Sequence, residues 1–122
     1  MALDIFYNAI KMDIAMIKGD TMSFGFQMQG LDGSAPSSII FSCKEDPEDD
    51  DAVFSSSLED GGIWLDSEDQ ETDLLEYGVR IAPSKTENLN TGRYYYDLEV
   101  TVNEDVYTLM KGRLQIEYDV TR

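Results

Sequence analysis

Carboxylates are the side chains in this sequence with the clearest capacity for chemistry, and many of them fall in two short runs. The first run covers residues 45–51, and its candidate calcium ligands are Asp46, Glu48, Asp49, Asp50 and Asp51. Calcium takes several oxygen ligands from a flexible loop, but this run lacks the D-x-D-x-D-G order with a distal glutamate that marks a calcium loop. A solvated acidic connection is therefore the favoured interpretation, with calcium binding as the alternative.

The second run covers residues 66–73 and allows the same two interpretations. Paired carboxylates can also hydrolyse glycosidic bonds, although any acidic loop supplies such pairs. The sequence contains no histidine, and it shows neither a nucleophile motif nor a glycine-rich phosphate loop. We therefore expect a protein that is not an enzyme and that uses no cofactor.

The single tryptophan, Trp64, is the aromatic side chain best suited to bind a partner. It lies in a predicted acidic loop, residues 59–73, where an exposed indole could stack on a sugar ring or anchor a protein interface. The favoured alternative is that Ile63 and Trp64 turn back and cover the edge of the core, because large aromatic side chains are rarely left exposed. Cys43, the single cysteine, is expected to be a small buried side chain without a disulfide partner.

The net charge of −16 limits the class of partner. A strongly acidic protein is repelled by phosphate backbones and by anionic lipid, so we expect no binding to nucleic acid or to a membrane surface. No apolar run reaches the length that crosses a bilayer. The first residues carry Asp4 and lack a basic segment followed by an uninterrupted apolar stretch, so we expect no signal peptide and synthesis in the cytoplasm.

Apolar and polar residues alternate with a period of two along most of the chain, which indicates β-strands. The acidic runs, Trp64 and Cys43 are therefore expected to be positioned by strands. A length of 122 residues predicts a single domain, residues 11–122, after an N-terminal arm, residues 1–10. Strands are predicted near residues 11–18, 21–29, 38–44, 52–58, 74–82, 89–102 and 106–118. This pattern predicts an all-β, seven-stranded antiparallel immunoglobulin-like β-sandwich, with an up-and-down barrel as the alternative.

The spacing of Leu89, Gly92 and Tyr94 is typical of a tyrosine corner. In such a corner a tyrosine opens a strand, and its hydroxyl group returns to a backbone group a few residues upstream. The alternative is an ordinary strand that happens to contain several tyrosines, since aromatic residues favour strands.

The outward faces of the last two predicted strands supply the candidate protein interface. Tyr95 and Tyr107 share the polar-face register of neighbouring strands and can pair across them, and Leu109 extends the same face. A contiguous exposed patch of this kind would be an interaction surface, and the N-terminal arm could add to it. Gly112, in the middle of the last strand, predicts a bulge or a close approach of another backbone.

Three segments of the sequence resemble immunoglobulin-like domains from phages and prophages of Gram-positive bacteria. They are KGDTMSFGFQ from Lys18, the pattern P-x-x-T-x-x-L-x-x-G-x-Y-x-Y-D from Pro83, and VYTLMKGRLQIEYDVT from Val106. The closest type is the N-terminal domain of the phage baseplate upper protein, and the resemblance covers roughly residues 12–121. It implies a domain that attaches a receptor-binding assembly to the virion through protein–protein contacts, without catalysis.

Together these features predict a non-enzymatic structural or assembly module of a phage baseplate or tail, located in the virion after assembly. Its partners would be other phage structural proteins or further copies of itself. The alternative is a carbohydrate-binding β-sandwich that uses Trp64 and the acidic loops, with calcium as an additional requirement.

Overall fold

The computed structural model describes residues 9–31 and 33–121. Over these residues the chain forms nine strands and one short 3-10 helix at Pro83–Lys85. The strands are β1 (Ile10–Lys11), β2 (Ile14–Ile17), β3 (Met22–Gln29), β4 (Ser38–Lys44), β5 (Phe54–Ser57), β6 (Ile63–Asp69), β7 (Leu74–Ile81), β8 (Gly92–Val102) and β9 (Asp105–Glu117). Most of the predicted N-terminal arm, residues 1–8, lies outside the described residues, and Ile10 opens β1.

The strands form two sheets that face each other as an immunoglobulin-like β-sandwich. The first sheet has the order β1-β9-β8-β4-β5, with β2 continuing along β9, and the second has the order β3-β7-β6. Every pairing is antiparallel except those of β1 and β2, which run parallel to β9. The predicted sandwich is therefore confirmed, whereas the prediction of a wholly antiparallel arrangement is wrong at the N-terminal strand. That strand is also broken between Lys11 and Ile14, which divides it into β1 and β2.

Alternation along the strands separates the core from solvent as predicted. Phe41 of β4 is fully buried and stacks on Tyr96 of β8, with 5.2 Å between ring centroids. Phe24 meets Phe41 edge-on from the second sheet at 5.9 Å. Cys43 is also fully buried, and burial raises the pKa of its thiol to about 12, so it packs as a small neutral side chain.

The tyrosine corner forms where the chain crosses from β7 in the second sheet to β8 in the first. The Tyr94 hydroxyl donates to the Asn90 carbonyl oxygen at 2.7 Å, and Leu89 packs against the core. Gly92 has φ of +142°, which favours glycine. A second hydrogen bond stabilises the same connection between the sheets. The fully buried Thr86 hydroxyl accepts it from the Gly19 amide at 2.9 Å.

Strand β6 is an element that the sequence did not predict. It lies inside residues 59–73, which were expected to form an acidic loop. From Trp64 onward all of its residues are exposed, and only Ile63 is buried. The strand is held by backbone pairing with β7. Backbone pairing does not require alternating hydrophobic residues, so the sequence of β6 lacks the pattern that identifies a strand.

Candidate functional site

The outer face of the first sheet carries an open groove of about 760 Å³. Tyr95 is partly exposed and lines this groove, with Lys44 of β4 and Arg113 of β9 as its cross-strand neighbours. The next row places Asp97 beside Lys111. We call this surface the cationic groove and define it by the residues Lys11, Lys44, Tyr95, Asp97, Lys111 and Arg113.

The cationic groove gathers positive charge on an acidic molecule. Of the nine basic residues in a chain of net charge −16, four line the groove: Lys11, Lys44, Lys111 and Arg113. Two carboxylates also line it. The Asp13 carboxylate accepts a hydrogen bond from the Arg113 amide at 3.0 Å, and burial raises the pKa of Asp97 although the Lys44 and Lys111 charges lower it. A carboxylate or phosphate of a partner would meet the cations around Tyr95.

One wall of the groove depends on Gly112. A Cβ atom at this position would collide with the Met12 carbonyl group, lying 2.8 Å from its carbon atom. The same carbonyl oxygen accepts the Tyr96 hydroxyl at 2.6 Å, and the Met12 amide donates to the Lys111 carbonyl oxygen at 3.0 Å. Of the two predictions for Gly112, the close backbone approach is confirmed, and the bulge lies three residues earlier.

That bulge alters the predicted interface. Glu99 pairs with Thr108 and Leu98 with Met110, so Leu109 is the extra residue of β9. Extra residues at a bulge re-aim the side chains around them, and Leu109 is buried in the core. Tyr107 packs partly against that core. The prediction of an outward Leu109 is therefore wrong, and of the three candidates only Tyr95 lines the groove.

The outer face of the second sheet has a different character, centred on Trp64. This side chain is 40% exposed, while its neighbour Ile63 is buried. A Cβ atom on Gly78, the cross-strand neighbour of Trp64, would lie 2.6 Å from the indole Cε2 atom, so the ring rests directly on the Gly78 backbone. The expectation that Trp64 covers the edge of the core is wrong, because it lies on the sheet face. We call Trp64, Gly78 and Gly25 the tryptophan surface.

Polar side chains border the tryptophan surface. The Gln27 amide nitrogen donates to the Glu76 carboxylate at 3.0 Å, and Glu76 lies two residues before Gly78 on β7. Arg80 lies two residues after it and is exposed. Alternation along β7 places both side chains on the outer face, one on each side of the ring.

Carboxylates in both acidic runs accept hydrogen bonds from backbone amides of the same run. In residues 45–51, Asp49 accepts from the Asp46 amide at 3.1 Å and Asp46 accepts from the Glu48 amide at 3.0 Å. In residues 66–73, Asp69 accepts from the Glu71 amide at 3.0 Å. Across residues 9–31 and 33–121, no three or more acidic or cysteine side chains are grouped so that they could hold a metal ion. The same ranges contain no helix long and apolar enough to cross a membrane.

Comparison with known proteins supports the fold alone. No protein-family model matches the sequence, and no curated relative matches it. Among solved structures, the chain is similar to a family 123 glycoside hydrolase from Clostridium perfringens that was studied for glycolipid glycan hydrolysis, with a TM-score of 0.53 and 15% identity. The similarity covers 94% of this chain and 24% of that one, so this chain spans about a quarter of that enzyme.

Proposed function

We propose that this protein is a non-enzymatic assembly module of a phage or prophage particle, and that the cationic groove is its docking surface for another structural protein. The observation that carries the proposal is the concentration of four of the nine basic residues on one open sheet face of a chain with net charge −16. The resemblance to baseplate-type domains supports the same role.

The chemistry of the groove favours a protein partner with an acidic segment. Arginine and tyrosine are enriched at the energetically dominant positions of protein interfaces, and Tyr95 lies between Lys44 and Arg113 in the register of the sheet. Two inter-strand spacings separate those cations, roughly 10 Å, so two carboxylates of one extended segment can reach both. That segment belongs to another particle protein or to a second copy of this chain.

The first test is the composition of the particle. Phage particles are purified after prophage induction in cells that carry the gene, and their proteins are quantified by mass spectrometry. The proposal predicts this chain at a fixed ratio to the tail proteins. A chain found only in the soluble lysate would overturn the assembly role.

The second test assigns the surface. In the double variant Lys44→Glu with Arg113→Glu, the charges on both sides of Tyr95 are reversed, and incorporation into particles should fall at least about tenfold, the loss of roughly 1.4 kcal/mol of binding free energy. The matched control is Lys18→Glu with Lys85→Glu, which changes net charge equally outside the groove. Equal incorporation of both variants would remove the groove from the docking role.

A further inference from the structure

We propose that the tryptophan surface binds a neutral glycan chain, with one pyranose ring stacked on Trp64. The site lies on the second sheet and uses none of the residues of the cationic groove, so it does not rest on the assembly role. A binding site here would give a particle protein, or any other bearer of this domain, a direct contact with carbohydrate.

The setting of the indole ring is the first support. Gly78 pairs with Trp64 on one side and with Gly25 on the other, so this row across all three strands holds a single side chain. Glycine weakens a strand interior and marks close approach, and here two glycines are paired. Three atoms of the six-membered ring lie within 2.9 Å of the position of a Gly78 Cβ atom, so the ring lies against the backbone, and 40% of the side chain is exposed to solvent.

The bare backbone beside the ring is the second support. Gly25 is exposed, and the nearest atom to the place of its Cβ atom is the Tyr77 carbonyl oxygen, at 3.3 Å. The indole therefore ends above Gly78, and next to it the Gly25 backbone forms a bare strip, bounded on the same face of β3 by Ser23 and Gln27. A sugar ring stacked on the indole can extend its neighbouring ring along this strip.

The polar groups beside the ring match the hydroxyl groups of a sugar. Glu76 and Arg80 lie about 7 Å from Gly78 in opposite directions along β7, at two residues each. The Gln27 side chain is held against Glu76 by its hydrogen bond, which orients a carboxylate and an amide together. Pockets for small ligands combine apolar or aromatic contact with a few placed polar groups of this kind, and a pyranose offers both an apolar C–H face and hydroxyl groups.

Charge decides the class of glycan. The molecule carries a net charge of −16, and β6 continues from Trp64 into the exposed acidic residues Glu68 and Asp69. Like charges disfavour a carboxylated, sulfated or phosphorylated chain at this face. The ligand is therefore a neutral glycan.

The experiment uses Trp64 as its own probe, because the chain has one tryptophan. The protein is titrated with a panel of neutral hexasaccharides built on glucose, mannose, galactose and N-acetylglucosamine, and with a hexamer of galacturonic acid as the anionic probe. A saturable change in tryptophan emission with at least one neutral hexasaccharide, and none with the galacturonic acid hexamer, is expected. The absence of a saturable change with every neutral probe would overturn the proposal, and so would equal binding of the acidic hexamer.

Two variants locate the site. Gly25→Thr adds a side chain on the bare strip while suiting a strand, and it should weaken binding by about tenfold or more. Trp64→Ala should abolish binding, measured by calorimetry because this variant lacks the fluorophore. Ser42→Thr places the same threonine side chain on the other sheet, by adding one methyl group, and should bind like wild type. Wild-type affinity in Gly25→Thr would overturn the location, and an emission change that only particle proteins produce would assign the surface to a protein contact instead.

Discussion

The cationic groove and the tryptophan surface are both formed where a glycine in the middle of a strand allows a close approach, but what approaches differs. At Gly112 the neighbour is the Met12 backbone, which is held by hydrogen bonds to Tyr96 and Lys111. At Gly78 the neighbour is the Trp64 side chain, which is 40% exposed and is joined to its backbone by rotatable bonds. We therefore expect the first site to be fixed to the fold and the second to open without unfolding of the sheet.

The largest effect expected from this difference is at Gly112. In Gly112→Ala the new Cβ atom overlaps a carbonyl group that cannot move without shifting the N-terminal strands, so the free energy of unfolding should fall by about 3 kcal/mol. Urea unfolding followed by circular dichroism measures this loss. Trp64 emission of the native variant should remain unchanged.

Gly25→Ala is the matched control for Gly112→Ala, because its φ is ordinary and its new Cβ atom has one contact of 3.3 Å. Its free energy of unfolding should stay within about 1 kcal/mol of wild type. A Gly112→Ala protein as stable as this control would show that the N-terminal strands yield easily, and the contrast between the two sites would disappear.

The second prediction compares the loss of stability on the two faces of β8. Tyr94→Phe removes the hydroxyl group that pairs with the Asn90 carbonyl and should cost about 1 kcal/mol, the net contribution of one part-buried hydrogen bond. Tyr95→Phe, at the next position and on the groove side, should change the free energy of unfolding by less than about 0.5 kcal/mol. Thermal and urea unfolding of the pair measure both values, and equal costs would remove the corner as the source of stability.

The third prediction concerns Gly78. In Gly78→Ala the Cβ atom displaces the indole ring from the sheet, so Trp64 emission should shift to longer wavelength while stability falls by less than about 1 kcal/mol. Gly112→Ala should therefore lose stability without a change in Trp64 emission, whereas Gly78→Ala should change the emission with little loss of stability. A large loss of stability without an emission change would mean that Trp64 is as fixed as Met12.

The smallest effect is expected at Asp97 in the cationic groove. Burial, the larger influence, raises the pKa of its carboxyl group above the ordinary value of 3.8, so the folded state favours the protonated form and loses stability as pH rises through the folded pKa. Asp97→Asn should therefore gain less than about 0.5 kcal/mol at pH 7, and the gain should vanish below pH 3.8. A destabilised variant at pH 7 would show that attraction to Lys44 and Lys111 outweighs burial.

The parts of the fold that alternation describes could be predicted from the sequence. The inward residues of β3, β4, β7 and β8 were identified because each strand has one buried face, and the corner was identified because its spacing is local. Strand β6 was missed because a backbone ladder along an exposed sheet edge leaves no hydrophobic pattern. Leu109 was misplaced because a single extra residue reverses the phase of alternation beyond it.

The two surfaces could be predicted only in part. The outward register of Tyr95 was correct, but the cations around it come from positions 11, 44, 111 and 113, which only the order of the strands brings together. The contact between Trp64 and Gly78 depends in the same way on the register of β6 with β7. An isolated glycine within a strand pattern was the available signal at Gly78, and it indicates a close approach without saying which residue approaches.

The parallel pairing of β1 and β2 with β9 also determines how the domain would respond to mechanical tension. Parallel strands advance in the same direction, so pulling residue 9 away from residue 121 slides β2 along β9. All the hydrogen bonds between Ile14–Ile17 and their partners at residues 114–117 are then loaded together, in shear. An antiparallel first strand would open like a zipper, one bond at a time, under the same pull. The Tyr96 and Asp13 hydrogen bonds around Met12 add to the same seam, so the domain should resist stretching along its length far better than peeling from its side.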